Sequence, residues 1–290
     1  MPLLAILVTS CSKISPNGEL ITQTRTFSGS VDELHIESGF VVDCDNTLAA
    51  GTVEITTNSN IMQYVITDVK GNTLVLGLKR TFSFAYNKIT LKARISPDIF
   101  NHFDLSGGSQ LYLSDAEREE LELDASGGSK LYLNNITTKK LEIDASGGSD
   151  IKIDGLETEE FTADASVGSK LYLNNFTTKE LEIDTSGGSK IKIDGLETEE
   201  FTTNASGGSE IEANGKCHDL EATLTGGSKM LGQKLTTENV EAMMSGGSKM
   251  YINVTNSIIY DGSGGSQLYY TGEPAKVHVQ TSGGSELIKE

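Results

Sequence analysis

Four histidines and three cysteines are the side chains in this chain best suited to chemistry, and along the sequence they stand apart. His35, His102, His218 and His278 are scattered, and none has a second His or Cys at metal-ligand spacing except in the pair Cys217-His218. Neighbours on a strand point to opposite faces, so that pair reads as a core cysteine beside an exposed histidine. The cysteines Cys11, Cys44 and Cys217 are odd in number and show no zinc pattern, which argues against a disulfide framework or a metal centre. Cys44 and Cys217 read as small buried hydrophobes. No nucleophile elbow, phosphate loop or zinc signature is present. No catalytic residue, metal site or cofactor is therefore expected.

Cys11 has a context of its own. Residues 1–8 read MPLLAILV, an apolar run too short to span a bilayer. Val8-Thr9-Ser10-Cys11 then matches the bacterial lipobox: an aliphatic residue, two small residues and the cysteine whose sulfur accepts diacylglycerol. Residues 1–10 are read as a signal peptide, Cys11 as the lipidation site, and 11–26 as a tether containing Ser15-Pro16-Asn17-Gly18. Ser12, where an Asp would favour inner-membrane retention, points to the outer membrane. No other segment could span a bilayer, so the lipid is the expected membrane contact.

Carboxylates are abundant. The chain carries 41 Asp plus Glu against 23 Lys plus Arg, a net charge of −18, which argues against nucleic-acid binding. Glycosidases and lyases need a few acids gathered in a groove. Here Glu122, Asp124, Glu142, Asp144, Asp164, Glu182 and Asp184 instead recur regularly, as on a solvated face. Like charges ~4.8 Å apart repel by about 0.9 kcal/mol in bulk water, a repulsion that weakly bound Ca²⁺ could offset. The Gly-Gly-x-Gly-x-Asp repeat of calcium solenoids is absent. A second series is basic and aromatic: Tyr112, Tyr132, Lys152, Tyr172, Lys192 and Tyr251. Tyrosines beside lysines are a recognition chemistry for glycans or proteins, and equally a pattern of ordinary cross-strand packing.

A repeat must position both series. Ser-Gly-Gly-Ser, or a one-residue variant, begins at residues 106, 126, 146, 166, 186, 206, 225, 245, 263 and 282. Residues 130–169 and 170–209 differ at seven of forty positions, the mark of a duplicated two-rung block. Within one rung, Lys130-Leu131-Tyr132-Leu133 alternates with strand period. Asn134-Asn135 signals a turn, Ile136 points inward alone, and Leu141-Glu142-Ile143-Asp144-Ala145 alternates again. Glycine at the corner allows close stacking and positive φ. Inward ladders are expected along Leu131, Ile151, Leu171, Ile191 and Ile211; along Leu141, Phe161, Leu181, Phe201 and Leu220; and along Ile136, Leu156, Phe176 and Leu196.

These patterns predict an all-β fold: a parallel β-helix, right-handed for a rung of this length, with about ten rungs of ~20 residues spanning about 50 Å. Residues 106–290 form the solenoid. Residues 27–105 form an irregular N-terminal lead-in or cap, with strand-like runs at 33–37, 39–44, 52–57, 62–67, 73–78 and 88–95. The region is either a set of longer rungs or a small β-domain covering the open end. Little chain follows the last rung, which leaves a docking end.

The opening around Phe27, the strand Gly39-Phe40-Val41-Val42, the lead Pro97-Asp98-Ile99-Phe100 and the Ser-Gly-Gly-Ser series after Asp104-Leu105 together resemble the auto-transporter adhesin head GIN domain family, over about residues 27–290. The resemblance implies a β-helical lipoprotein of Bacteroidota type, with an adhesive or envelope role and no established enzyme activity. The leading expectation is a non-enzymatic envelope lipoprotein whose rod serves adhesion or scaffolding, its partner a glycan or an envelope or host protein. A carbohydrate-active enzyme on a β-helix and a solenoid that self-assembles end to end are the alternatives.

Overall fold

The structure, a computed structural model, describes residues 13–290. The signal segment 1–10 and the lipid-accepting Cys11 lie outside the described residues. From Gln110 onward the chain coils rung upon rung, each strand pairing in parallel with its equivalent one turn away. Residues 130–134 pair with 150–154, residues 136 and 137 with 156 and 157, and residues 140–145 with 160–165. Each turn thus has three walls. The first and third are alternating strands, and the second is short.

The corners follow from backbone sterics. Between the first and second walls stands one left-handed residue per turn: Asp115, Asn135, Gly155, Asn175 and Gly195 all have positive φ, and Asn, Asp and Gly tolerate that region. The Ser-Gly-Gly-Ser corner needs two consecutive positive φ values, 60° at Gly127 and 76° at Gly128. A Cβ on Gly127 would sit 3.3 Å from the backbone nitrogen of Gly107 in the adjacent turn. The last serine turns inward and is buried; the Ser129 hydroxyl donates to the Ser126 carbonyl at 2.7 Å and closes its own corner. The first serine joins the ladder, Ser126 N–H donating to Leu105 O at 2.8 Å. Ten such corners enclose nine complete turns, so the rod has about nine turns where a count of corners suggested ten rungs.

The three expected apolar ladders are buried and in register. Each rung needs its neighbours to bury these residues, so stability is shared along the rod. Phe161 and Phe176 meet edge to face, 5.1 Å between ring centres at 80°. A polar ladder runs beside them at the second corner, where the Thr138 hydroxyl donates to Lys140 O at 3.0 Å. Thr158, Thr178 and Thr198 repeat this contact, and Cys217 takes the same place, its Sγ 3.1 Å from Asp219 O. Burial pushes the Cys217 thiol up to about 12. The thiol is a packing group, not a thiolate.

The N-terminal region departs from simple coiling. Residues 33–36 and 41–44 make a true rung, pairing in parallel with 102–105 and 110–112 on one side. On the other side they pair with 73–76 and 92–95. The rung built first along the chain therefore lies between two built later. Antiparallel strands then finish the walls: Val65–Lys70 beside Thr73–Leu78, Thr52–Asn58 beside Leu91–Ile95, and Leu20–Thr26 outermost. The irregular region is thus both rung and cap. Leu20–Thr26 falls in the segment read from sequence as tether. Arg25 ties it down, donating to Val65 O at 2.9 Å and to Thr67 Oγ1 at 3.0 Å. On the last turn, Lys276–Thr281 and Glu286–Lys289 pair on one side only among the described residues.

Candidate recognition face and acidic wall

The first wall stacks the tyrosine and lysine series. Parallel register places Asp43, Tyr112, Tyr132, Lys152, Tyr172, Lys192 and Glu212 in one outward column. Tyr112 and Tyr132 lie face to face, centres 4.7 Å apart and planes 7° apart. The Lys152 ammonium sits 5.7 Å from the Tyr132 ring centre and 5.8 Å from that of Tyr172, a cation held against two aromatic rings. Lys192 pairs with Glu212 at 2.9 Å. Five of the six expected residues are therefore contiguous. Tyr251 belongs to the same column but lies beyond Glu212 and Leu231, stacked at 4.6 Å on Tyr269. Tyr269 escaped the sequence reading because its turn is shorter than 20 residues.

This packing limits what the column can offer. Ring faces between rungs are occupied by neighbours, so edges and hydroxyls point outward. Tyr112, 38% exposed, has a tyrosine on one side only and presents the freest ring. The column is rigid, and such a surface loses little side-chain entropy on contact.

The third wall carries the acids. Asp104, Asp124, Asp144, Asp164 and Asp184 form an unbroken column that ends at Asn204. Asn204 donates to Asp184 Oδ1 at 2.7 Å. Partial burial, then the neighbouring carboxylates, pushes Asp144 and Asp164 above the usual carboxylate range.

At the capped end of this wall stand two histidines that the linear sequence kept apart. His35 lies over Asp104 and His102 over Glu122 in the ladder. His35 Nδ1 is 2.5 Å from Asp104 Oδ2, and His102 Nε2 is 3.0 Å from Asp124 Oδ2. These hydrogen bonds raise both imidazoles above their ordinary value, against an opposing effect of burial. Spacing along the chain shows no second His or Cys near either histidine; their carboxylate partners come from other rungs, 69 residues away for His35 and 22 for His102. His218 follows the reading given it: exposed beside buried Cys217, 3.0 Å from Asp219.

The second wall is a shallow trough of about 610 Å³ lined by Thr137, Thr177 and the alternating series Glu119, Lys139, Glu159, Lys179 and Glu199. Lys179 pairs with Glu159 at 3.0 Å, and Lys139 with Glu119. Glu117, Glu157 and Glu197 line it as well, with Arg118, so six acids face three bases and the trough is acidic overall.

A family model described as "Putative auto-transporter adhesin, head GIN domain" matches residues 30–194 and 162–274. Among solved structures, a putative adhesin from Parabacteroides merdae is similar with a TM-score of 0.55 and 17% identity, over 96% of this chain and 99% of that one. A putative adhesin from Parabacteroides distasonis gives a TM-score of 0.59 at 15% identity, over 96% and 100%. At such identities the likeness is one of fold. No curated protein matches the chain.

Proposed function

Because the chain belongs to the putative auto-transporter adhesin, head GIN domain family, we propose that it is a non-enzymatic envelope lipoprotein whose rod presents a recognition surface for a glycan or an envelope or host protein. The anchor is the lipid on Cys11, and the outer membrane is its place. The observation that carries the reading is the column Tyr112, Tyr132, Lys152, Tyr172 and Lys192, pre-ordered by stacking and cation–π contact. Aromatic and cationic groups fixed at one-rung intervals suit a repetitive ligand. The trough's carboxylates recur from rung to rung in like surroundings, which favours recognition over catalysis, since a glycosidase needs two carboxylates with different environments.

The test is binding of the purified chain to glycan and host-matrix arrays, beside a variant carrying Tyr132→Ala, Tyr172→Ala and Lys192→Ala that keeps its β circular dichroism. Binding that the variant loses is the expected result. No binding by either chain removes this face as a glycan or matrix site and leaves envelope scaffolding.

A second reading rests on the last turn, where Val277 and Val279 are 47% and 40% exposed beside strands paired on one side. Two rods could pair there, and growth would stop at two because antiparallel strands close the opposite end. A monomer at high concentration in light scattering would discard it.

A further inference from the structure

We propose that His102, Glu122 and Asp124 bind a divalent transition-metal ion of the zinc class at the capped end of the acidic wall. Sheet register brings the donors together. His102 lies over Glu122, and Asp124 follows two residues along on the same face. One ligand atom from each of the three lies within 4.8 Å of the others. The imidazole meets the two acids through different ring nitrogens, Nε2 at 3.0 Å from Asp124 Oδ2 and Nδ1 at 3.8 Å from Glu122 Oε2, and an ion takes one of them. A tetrahedral zinc bound at about 2.0–2.2 Å needs donors about 3.3 Å apart. The set closes when Glu122, whose side chain is 53% exposed, swings to the Nε2 side that Asp124 already faces.

Donor chemistry sets the class of ion. One imidazole nitrogen with two carboxylate oxygens suits zinc and its neighbours, whereas calcium and magnesium favour oxygen alone. Further down the column, Asp144, Asp164 and Asp184 have no imidazole in register, so nitrogen donors beside this run of aspartates are confined to the capped end, where only His102 belongs to a three-donor cluster among the described residues. Charge favours the same place. Lys140, the nearby cation, is engaged with Glu142 at 3.3 Å. Asp104, next to Asp124 in its column, is held by His35. A recess of about 320 Å³ bordered by His102, Glu122, Glu33 and Asn101, though not by Asp124, opens onto solvent on one side of the cluster, where a water or outside ligand could join the protein donors.

The test is isothermal titration of the purified, chelator-stripped full chain with Zn²⁺ alone, with Ca²⁺ in a parallel titration. One Zn²⁺ per chain is expected. His102→Ala and Glu122→Gln should each weaken binding by more than about tenfold, the scale on which perturbed metal sites lose affinity. Asp164→Asn, on the same column but two turns from Asp124, and His218→Ala, an exposed imidazole elsewhere, should leave it unchanged. All variants must keep the wild-type circular dichroism and melting curve shape; if His102→Ala misfolds, Glu122→Gln decides. Absence of Zn²⁺ binding overturns the proposal. So does Zn²⁺ binding that survives both substitutions, or Ca²⁺ binding as tight as Zn²⁺ and indifferent to His102, which would reduce the site to diffuse attraction by the acids.

Discussion

The tyrosine column and the aspartate column are made by the same device and pull in opposite directions. Parallel register places like over like at every turn, on the first wall as on the third. Where the like residues are Tyr112 and Tyr132, repetition adds a stacked pair of about 0.5–1.5 kcal/mol. Where they are Asp124, Asp144 and Asp164, repetition adds repulsion, about 0.9 kcal/mol per adjacent pair in bulk water at ~4.8 Å. The backbone ladder accepts both because neither column holds the rod together. The apolar ladders between the walls do, and the outer columns are free to carry what function asks. A column retained against its own electrostatics is the one where an external cation changes most.

The largest effect would break this comparison at its root. Phe176 is fully buried against Phe161. Phe176→Ala should destabilise the rod by about 3–5 kcal/mol, through lost transfer energy and the cavity left behind. Urea denaturation followed by circular dichroism measures it. A loss under about 1 kcal/mol would mean that the outer columns, not the shared core, hold the turns together.

Next in size is the tyrosine column. Tyr132→Ala removes both the stack on Tyr112 and one of the two rings that hold Lys152. A loss of about 1–2 kcal/mol is expected from these contacts. Tyr132→Phe keeps the ring and should stay within about 0.5 kcal/mol of wild type. Equal losses for the two variants would assign the stability to the hydroxyl and contradict the stacking account.

The aspartate column should respond with the opposite sign. Asn204 shows the remedy in place, donating to Asp184 where a sixth aspartate would repel. Asp144→Asn with Asp164→Asn should stabilise the rod by less than about 1 kcal/mol because the side chains are mostly solvated, read as a rise in melting temperature that shrinks in 1 M salt. The pH dependence gives an independent reading. His35 and His102 have raised folded-state pKa values, so their contribution is complete below the ordinary histidine value and is lost as pH rises through the raised one. Asp144 and Asp164 are also raised, so ionising them costs more in the folded chain, and stability returns as pH falls toward the ordinary carboxylate range. Both effects predict a rod that melts higher near pH 5 than near pH 8. Asp45 works the other way. Hydrogen bonds from Thr47 and Arg94 hold it down to about 2, so its contribution is lost only as pH falls toward that value. A melting temperature that falls steadily from pH 8 to pH 5 would contradict the repulsion account, and the double variant should flatten the carboxylate part of the rise.

How far such effects could be foreseen depended on whether spacing along the chain equals spacing along the rod. Leu131, Ile151 and Leu171 were legible as a ladder because the period is 20 and the apolar residues alternate. The column from Tyr112 to Lys192 was legible for the same reason. Tyr269 was not, because the register slips past Gly232 in the shorter turns. His102 and Asp124 were missed because metal-ligand spacing is normally sought within a few residues, whereas here it had to be sought one turn away. In the N-terminal region, residues 33–44 lie between rungs that follow much later. No local pattern encodes that order. Leu20–Thr26 is nearly all exposed, so it lacks the apolar alternation that marks a strand.

The smallest expected effect tests whether strain on the third wall lies only on its outer side. Thr185 stands inside that wall, next to Asp184, with Ala125, Ala145 and Ala165 before it and Ala205 after it in a column that continues to Leu105 and Leu224. Its hydroxyl is buried without a hydrogen-bond partner. Thr203, also inward on the next turn, differs: its hydroxyl donates to Ile183 O at 2.8 Å. Two terms oppose in Thr185→Ala. Removing an unpaired buried hydroxyl gains about 1–3 kcal/mol, while losing the methyl group it carries costs about 1 kcal/mol. The balance favours alanine by several tenths of a kcal/mol, read as a small rise in melting temperature. Thr203→Val keeps the volume but removes a paired hydroxyl, and should lower it by a comparable amount. If both substitutions destabilise, the Thr185 hydroxyl is satisfied in solution, and the third wall is strained by its aspartates alone.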